Sequence, residues 1–234
     1  MIITKTPYRI SFFGGGTDYP EHYLHHGGSV LATSIDKYCY ISCRKLPPFF
    51  DYKFRVSYSI IEAANSIAEI QHPCVRASLD YLDIDEGLEL HHMGDLPARS
   101  GLGSSSSFTN GLLNAVHALY GRKISQYDLA MQAIEVEQDR IGEIVGSQDQ
   151  VTSAVGGLNQ ISFNQNGSID VKKVKISTER MRLLESHLLL FFSGTTRDSQ
   201  TITLQKIIDI KNKTQDLVDM GSLVADGVKV LTSD

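Results

Sequence analysis

The sequence predicts an α+β fold. Period-two alternation over residues 1–13 and 29–45 calls for strands, an apolar stripe at helical spacing over 108–119 calls for a helix, and two short runs at 158–176 call for a hairpin. In the second strand Tyr38, Tyr40 and Ser42 share one face, and Cys39, Ile41 and Cys43 share the other. A glycine-rich loop separates the first two strands, with Gly14, Gly15 and Gly16, then Gly27 and Gly28. Residues 52–60 read as a strand, 73–83 as a helix and 86–93 as a strand. A serine run opens the clearest helix, whose Phe108, Leu112, Val116 and Leu119 form one face before a stop at Gly121. The next helix starts at Ser125, with Asp128 three residues on as in a capping box, and extends to about Ile141. Gly142, Gly146, Gly156 and Gly157 then punctuate the chain. Residues 158–163 and 169–176 form the hairpin around Asn164–Gly167. A charged helix over 178–186 leads to a strand, His187–Phe192, and then to helices over 198–213 and 214–231. The expected boundary is near residue 180, because one strand and two helices beyond it are too little for an independent core.

Composition narrows the function classes. Of 234 residues, 41% are hydrophobic and 21% charged, which excludes a disordered, collagen-like or coiled-coil chain. Lys plus Arg number 22 against 27 Asp plus Glu, a net charge of −5, so nucleic-acid binding has no basic surplus behind it. A local basic pocket for a small anion is still allowed. The cysteines, Cys39, Cys43 and Cys74, lack zinc-type spacing and are too few for a disulfide framework, which fits a reducing cytoplasm. The N-terminal stretch MIITKTPYRI has no long apolar run, and Leu188–Phe192 is far short of the roughly 20 residues that span a bilayer. No membrane or nucleic-acid partner is therefore expected.

Four features can carry chemistry. The first is Pro97, then Gly101-Leu102-Gly103-Ser104-Ser105-Ser106-Ser107 running into the amphipathic helix. Glycines let a ligand approach the backbone, and the helix start offers N–H groups to an anion. No Gly-Lys-Ser/Thr follows, and Ser106 stands where a dinucleotide loop needs its third glycine. The alternative is a flexible Gly/Ser linker or a well-capped helix. The second is Glu137, which falls inside the apolar arc of Leu129, Ala130, Ala133, Ile134, Val136 and Ile141, whereas Glu135 points away. A buried carboxylate calls for a cation, Mg²⁺ on nucleotide phosphates or an internal partner such as Arg140. The third is Asp149 in Gly146-Ser147-Gln148-Asp149-Gln150, where an acid in a turn can serve as base or orienter, or simply cap a helix. The fourth is Arg9 followed by Gly14-Gly15-Gly16-Thr17-Asp18, where Asp18 suits paired sugar hydroxyls or belongs to an exposed turn. The pairs His25/His26 and His91/His92 read as loop and strand-end residues.

Taken together, Arg9 with GGGTDY, LPARSGLGSSSS, Glu137 and GSQDQ resemble the GHMP kinases over roughly residues 1–200. The resemblance implies two α+β halves with the site in the cleft between them. The halves would be a ribosomal-protein-like one over 1–180 and a ferredoxin-like one from 181, which ends at Asp234 without the family's third glycine-rich motif. An open strand edge in the region His187 to Asp234 is then expected either to favour a homo-oligomer or to need further C-terminal sequence for stability. The resemblance also implies ATP and Mg²⁺. Pro97 and the loop Gly101–Ser107 would hold the ATP phosphates, and Ser105 with Glu137 would hold Mg²⁺, Ser104 being the fallback. Asp149 would orient or deprotonate the acceptor hydroxyl, and Arg9 would neutralise nearby charge. Asp18, with Gly16 and Thr17, would bind the sugar, and Arg197, or else Arg99, its phosphate. Within the family, GGGTD, VGSQDQ and FFSGTTRDS are similar to the branch acting on D-glycero-D-manno-heptose 7-phosphate. Gly15 and Gly16 replace the acidic residue and histidine of galactokinases, which argues against galactose. A fucose- or galactose-type sugar 1-kinase, or a non-catalytic sugar- and ATP-binding relative, are the alternatives.

Overall fold

A computed structural model describes residues 1–98, 100–191 and 213–233. Two compact units emerge, and neither is one continuous segment. The first comprises Met1–Arg9, Ile35–Val145 and Asp149–Val155; the second comprises Ile10–Ser34, Gly146–Gln148 and the described part of Gly156–Asp234.

The first unit is a sheet covered by helices. Its strands run in the order β4 (Ile61–Ala64), β3 (Phe54–Ser57), β5 (Leu88–Gly94) and β2 (Gly28–Lys45), with β1 (Ile2–Phe13) also paired to β2. β2 and β5 are antiparallel, from Cys39 opposite Gly94 to Lys45 opposite Leu88. β3 and β5 are parallel, with Phe54 opposite Leu88 and Val56 opposite Leu90. The predicted alternation therefore sends Cys39, Ile41, Cys43, Phe54, Val56, Leu88 and Leu90 into one core. Two helices supply its other wall: Val75 and Leu79 come from α2 (Pro73–Tyr81), and Leu112, Leu113 and Val116 from α3 (Ser104–Leu119). Burying each such side chain contributes roughly 1.5–3 kcal/mol. This core anchors α3, so the start of α3 is a fixed platform.

Three local outcomes differ from expectation. The single strand over 52–60 is instead the tight hairpin β3–β4, closed where the Tyr58 N–H meets the Ile60 carbonyl at 2.9 Å. The helix after Ser125 begins as expected, the Ser125 hydroxyl accepting the Asp128 N–H at 3.0 Å. It is α-helical only over α4 (Gln126–Ile134) and then widens into a π-helical turn, Glu135–Arg140. The bond from the Ile141 N–H to the Val136 carbonyl, at 3.0 Å, spans five residues and marks that wider turn. Finally, the GSQDQ segment is not a bare turn. Gln148 opens a helix, α5 (Gln148–Val155), tied to α3 by the Asn110 side chain.

The second unit is built on the first part of β2, which pairs antiparallel with β6 (Leu158–Phe163), and β6 with β7 (Ile169–Lys173). The predicted hairpin is thus present. Leu31, Leu158, Val174 and Val224 form its core, with Phe12, Met181 and Val228 packed around them. Val224 and Val228 belong to α7 (Thr214–Thr232), where a helix was expected. α6 (Thr178–Ser186) also lies where predicted. The strand expected at His187–Phe192 does not form over residues 187–191: His187 caps α6, and Leu188–Phe191 are exposed and pair with no strand among the described residues. Without a ladder partner an apolar run has no reason to extend as a strand. The helix expected over 198–213 lies, except for Lys213 at the start of α7, outside the described residues. A further helix, α1 (Pro20–His26), occupies part of the expected loop, with His25 and His26 in its last turn and Gly27 at its end. Pro at the start and glycine at the stop are the ordinary helix signals.

Candidate active site

α3 starts without a side-chain cap. Its N-cap is Gly103, left-handed at φ 74, and the first intrahelical bond runs from the Ser107 N–H to the Gly103 carbonyl at 2.9 Å. The N–H groups of Ser104, Ser105 and Ser106 precede that bond and are available to an anion. A side chain added at Gly101 would meet nothing within 4 Å among the described residues. Pro97 is exposed at its approach. Leu102 packs on the core and accepts the Arg9 N–H at 3.0 Å. The four serines do different things. Ser105 is exposed and Ser104 half-buried, the buried Ser106 faces inward, and the Ser107 hydroxyl donates to the Pro7 carbonyl at 2.8 Å.

Arg9 and Asp149 form a fork beside this loop. The guanidinium donates from Nε to Oδ1 and from Nη2 to Oδ2, both at 2.6 Å, and from Nη1 to the Gly101 carbonyl at 3.0 Å. Paired charge-assisted bonds of this kind fix the carboxylate plane as well as its position. A Cβ on Gly103 would stand 3.0 Å from Arg9 Cγ and 3.5 Å from Asp149 Oδ2, so glycine lets the helix start and the ion pair meet. Asp149 keeps 25% of its side chain exposed and Arg9 13%. A fixed, reachable carboxylate next to unused N–H groups can hold a hydroxyl proton while phosphate oxygens are bound alongside.

Glu137 is buried, as its place in the apolar arc predicts, and the cage around it is neutral. Thr109 Oγ1 donates to Oε1 at 2.6 Å, and Ser106 Oγ (3.0 Å) and Gln150 Nε2 (2.6 Å) donate to Oε2. Burial pushes the carboxyl up to about 7; the donors from Thr109, Ser106 and Gln150 oppose that rise, and Glu143 adds to it. Arg140 is not its partner but pairs with Glu135 at 3.5 Å. The hydroxyl against Glu137 belongs to Ser106, not to Ser105 as expected. Ser106 and Thr109 are one turn apart on α3, and Ser105 is turned away by about 100°. No group of three His, Cys, Asp or Glu gathers among the described residues. A carboxylate with a hydroxyl beside it still fits Mg²⁺, a hard ion that takes one or two protein oxygens and fills its shell with water and phosphate.

In the second unit, Asp18 is enclosed, with 1% exposure. Its carboxylate accepts the Gly16 N–H (3.0 Å), the Gln148 N–H (3.1 Å) and Gln148 Nε2 (3.2 Å). A Cβ on Gly146 would stand 1.9 Å from Asp18 Oδ2, so that glycine is required by the carboxylate's seat. The Thr17 hydroxyl donates to the Gly14 carbonyl at 2.8 Å and accepts the Ser29 N–H at 3.0 Å. The exposed turn that was one of the two expectations for this string is instead a closed turn, knitted in part by the Asp18 carboxylate. Arg99 and Arg197 lie outside the described residues. Sequence reasoning missed Thr109, Gln150 and Asn110. Their only signal was polarity at positions whose helical neighbours are apolar.

Residues 61–157 match the family pattern described as GHMP kinases N terminal domain. The D-glycero-alpha-D-manno-heptose 7-phosphate kinase of Campylobacter jejuni is 28% identical over 214 residues, covering 88% of this chain and 63% of that protein. The galactokinase of Thermococcus kodakarensis is 28% identical over 204 residues, covering 82% of this chain and 53% of that protein. The chain thus spans less than two thirds of these relatives' length. In fold it is similar to a D-glycero-D-manno-heptose 1-phosphate kinase from Bacteroides thetaiotaomicron, with a TM-score of 0.75, 23% identity, and coverage of 93% of this chain and 74% of that one. The loop at α3 and the Glu137 cage fall within the residues that match the GHMP kinase N-terminal domain, and the Arg9–Asp149 fork joins that stretch to β1.

Proposed function

We propose that the chain transfers the terminal phosphoryl group of ATP to the anomeric hydroxyl of D-glycero-D-manno-heptose 7-phosphate. The product is the 1,7-bisphosphate, a precursor for nucleotide-activated heptose and surface polysaccharide. The observation that carries the reading is the Arg9–Asp149 fork at 2.6 Å, set against the glycine loop and the uncapped start of α3. The heptose assignment is supported by the likeness to the Campylobacter enzyme.

In this reading the N–H groups of Ser104, Ser105 and Ser106 bind phosphate oxygens. Asp149 orients the acceptor hydroxyl and takes its proton as the oxygen bonds to phosphorus and ADP leaves. Arg9 holds Asp149 in place. Glu137 and Ser106 would hold Mg²⁺, which would supply charge neutralisation at the phosphates. Gly16, Thr17 and Asp18 act by shaping their closed turn. The substrate's own phosphate is assigned to Arg197. The site of action is the cytoplasm, where ATP is at hand; Cys39, Cys43 and Cys74 are free and buried, and no helix among the described residues is long and apolar enough to cross a membrane.

A second reading, a galactose- or fucose-type 1-kinase, draws on the galactokinase relative. A substrate panel separates the two. Heptose 7-phosphate, free heptose, galactose and fucose are each offered with Mg²⁺-ATP, and the products are resolved by phosphorus NMR. The bisphosphate is expected. Turnover confined to free sugars supports the second reading, and nucleotide binding without turnover of any sugar supports a silent relative.

A further inference from the structure

We propose that Gln150 is a positioning residue that couples the two carboxylates of the site, Asp149 and Glu137. The inference rests on the phosphoryl-transfer reading above and goes beyond it by naming what holds the acid and the metal ligand in register.

Gln150 is fully buried, and each of its two polar ends has a separate task. Its Nε2 donates to Glu137 Oε2 at 2.6 Å, across from α5 to the π-helical turn. Its main-chain carbonyl accepts Asn110 Nδ2 of α3 at 2.8 Å. The same Nδ2 reaches Ser153 Oγ at 2.7 Å, and the Ser153 hydroxyl donates back to the carbonyl of Asp149, also at 2.7 Å. The first turn of α5 is thereby pinned to α3 and to the π-helical turn, while the Asp149 carboxylate is pinned to β1 through Arg9. Asp149 cannot shift along α5 without dragging the amide that lies on Glu137.

The unused half of the amide supports the assignment. Gln150 Oε1 is buried and has no hydrogen-bond partner among the described residues. A buried acceptor left unmet is costly, and an apolar side chain of the same length would remove that cost. What an apolar side chain cannot supply is a donor to Glu137. Partners that orient a metal-binding carboxylate in this way typically change metal affinity or activity by about 10–100-fold when removed.

The test is Gln150→Met, which keeps length and volume and removes the donor. Mn²⁺ is titrated by electron paramagnetic resonance into the chain saturated with a non-hydrolysable ATP analogue. The expected result is Mn²⁺ binding about 10–100-fold weaker per folded molecule, with metal-free nucleotide affinity little changed. In turnover, kcat falls while KM for the sugar stays near wild type. Ser153→Ala serves as the complement: it removes the hydroxyl that links Asn110 Nδ2 to the Asp149 carbonyl, so it is expected to lower kcat with Mn²⁺ affinity unchanged. A lowered thermal midpoint with wild-type Mn²⁺ affinity means that Gln150 is only structural, and overturns the proposal. Should Gln150→Met not fold, Gln150→Leu removes the same donor to Glu137 with a smaller side chain and carries the test, with unchanged Mn²⁺ affinity again overturning the proposal. A wild-type chain that binds no Mn²⁺-nucleotide overturns the phosphoryl-transfer reading and this inference together. Wild-type binding matched by Gln150→Met overturns this inference alone.

Discussion

Two glycine-rich strings in this chain each lead to an aspartate, and the fold uses them in opposite ways. At Gly101 the glycine clears space: nothing among the described residues lies within 4 Å of a Cβ there, and Asp149 beside the loop stays a quarter exposed. In Gly14–Gly16 the glycines admit protein: a Cβ at Gly14 would stand 1.9 Å from the Ser29 carbonyl and 2.8 Å from Val224 of α7, and Asp18 is enclosed. Both loops are left-handed at glycine, with φ 75 at Gly101 and 83 at Gly14. The difference teaches that a glycine string reports close approach without saying of what. The neighbours decide whether the visitor is a ligand or the protein's own backbone.

The largest effect is expected from Asp149→Asn, which keeps shape but removes the proton acceptor and one of the two bonds from Arg9. Turnover should fall by about 10²–10⁴, with nucleotide affinity nearly unchanged in a filter-binding assay. Activity within a few-fold of wild type would remove the open loop's functional half of the comparison.

The glycines themselves give the next test, read by urea unfolding. Gly14→Ala combines a left-handed alanine with a clash against main chain, and should cost about 2–5 kcal/mol. Gly101→Ala meets open space and should cost only the conformational part, about 1–2 kcal/mol, while weakening nucleotide binding. Equal losses at the two positions would mean that the loops are not used differently.

Asp18→Asn sharpens the same contrast. The carboxylate accepts three N–H bonds, so its loss of charge should cost about 1–3 kcal/mol of stability and leave KM for the sugar nearly constant. A raised KM with unchanged stability would instead return Asp18 to the sugar.

The smallest effect is electrostatic and lies in the sheet of the first unit. Glu89 is buried, which by itself raises its pKa, but Arg44 at 2.5 Å, His91 at 3.2 Å and Arg55 at 2.7 Å bring the balance below the ordinary carboxylate value. A group whose folded pKa is lowered stabilises above its unfolded pKa, and the contribution is lost as pH falls through the folded value. Glu89→Gln should therefore flatten the acid side of the stability profile and leave the Gly14 and Gly101 differences intact, which a pH series of thermal melts would show.

Much was legible before the fold. Strand alternation about Cys39–Cys43, the stripe from Phe108 to Leu119, the Ser125 start and the 158–173 hairpin all follow from local periodicity and turn chemistry, which survive in the chain as written. So did the burial of Glu137, because helical phase alone places it among apolar neighbours. The partners of these residues were not legible. That Ser106 rather than Ser105 meets Glu137 depends on the rotation of α3 against a π-helical turn, which a single extra residue sets. That Asp18 closes its own turn depends on Gly146 and Gln148, about 130 residues away in sequence. Local pattern is determined by spacing along one chain. Hydrogen-bond partners are determined by which surfaces the core brings within about 3 Å of each other, and only the tertiary structure decides that.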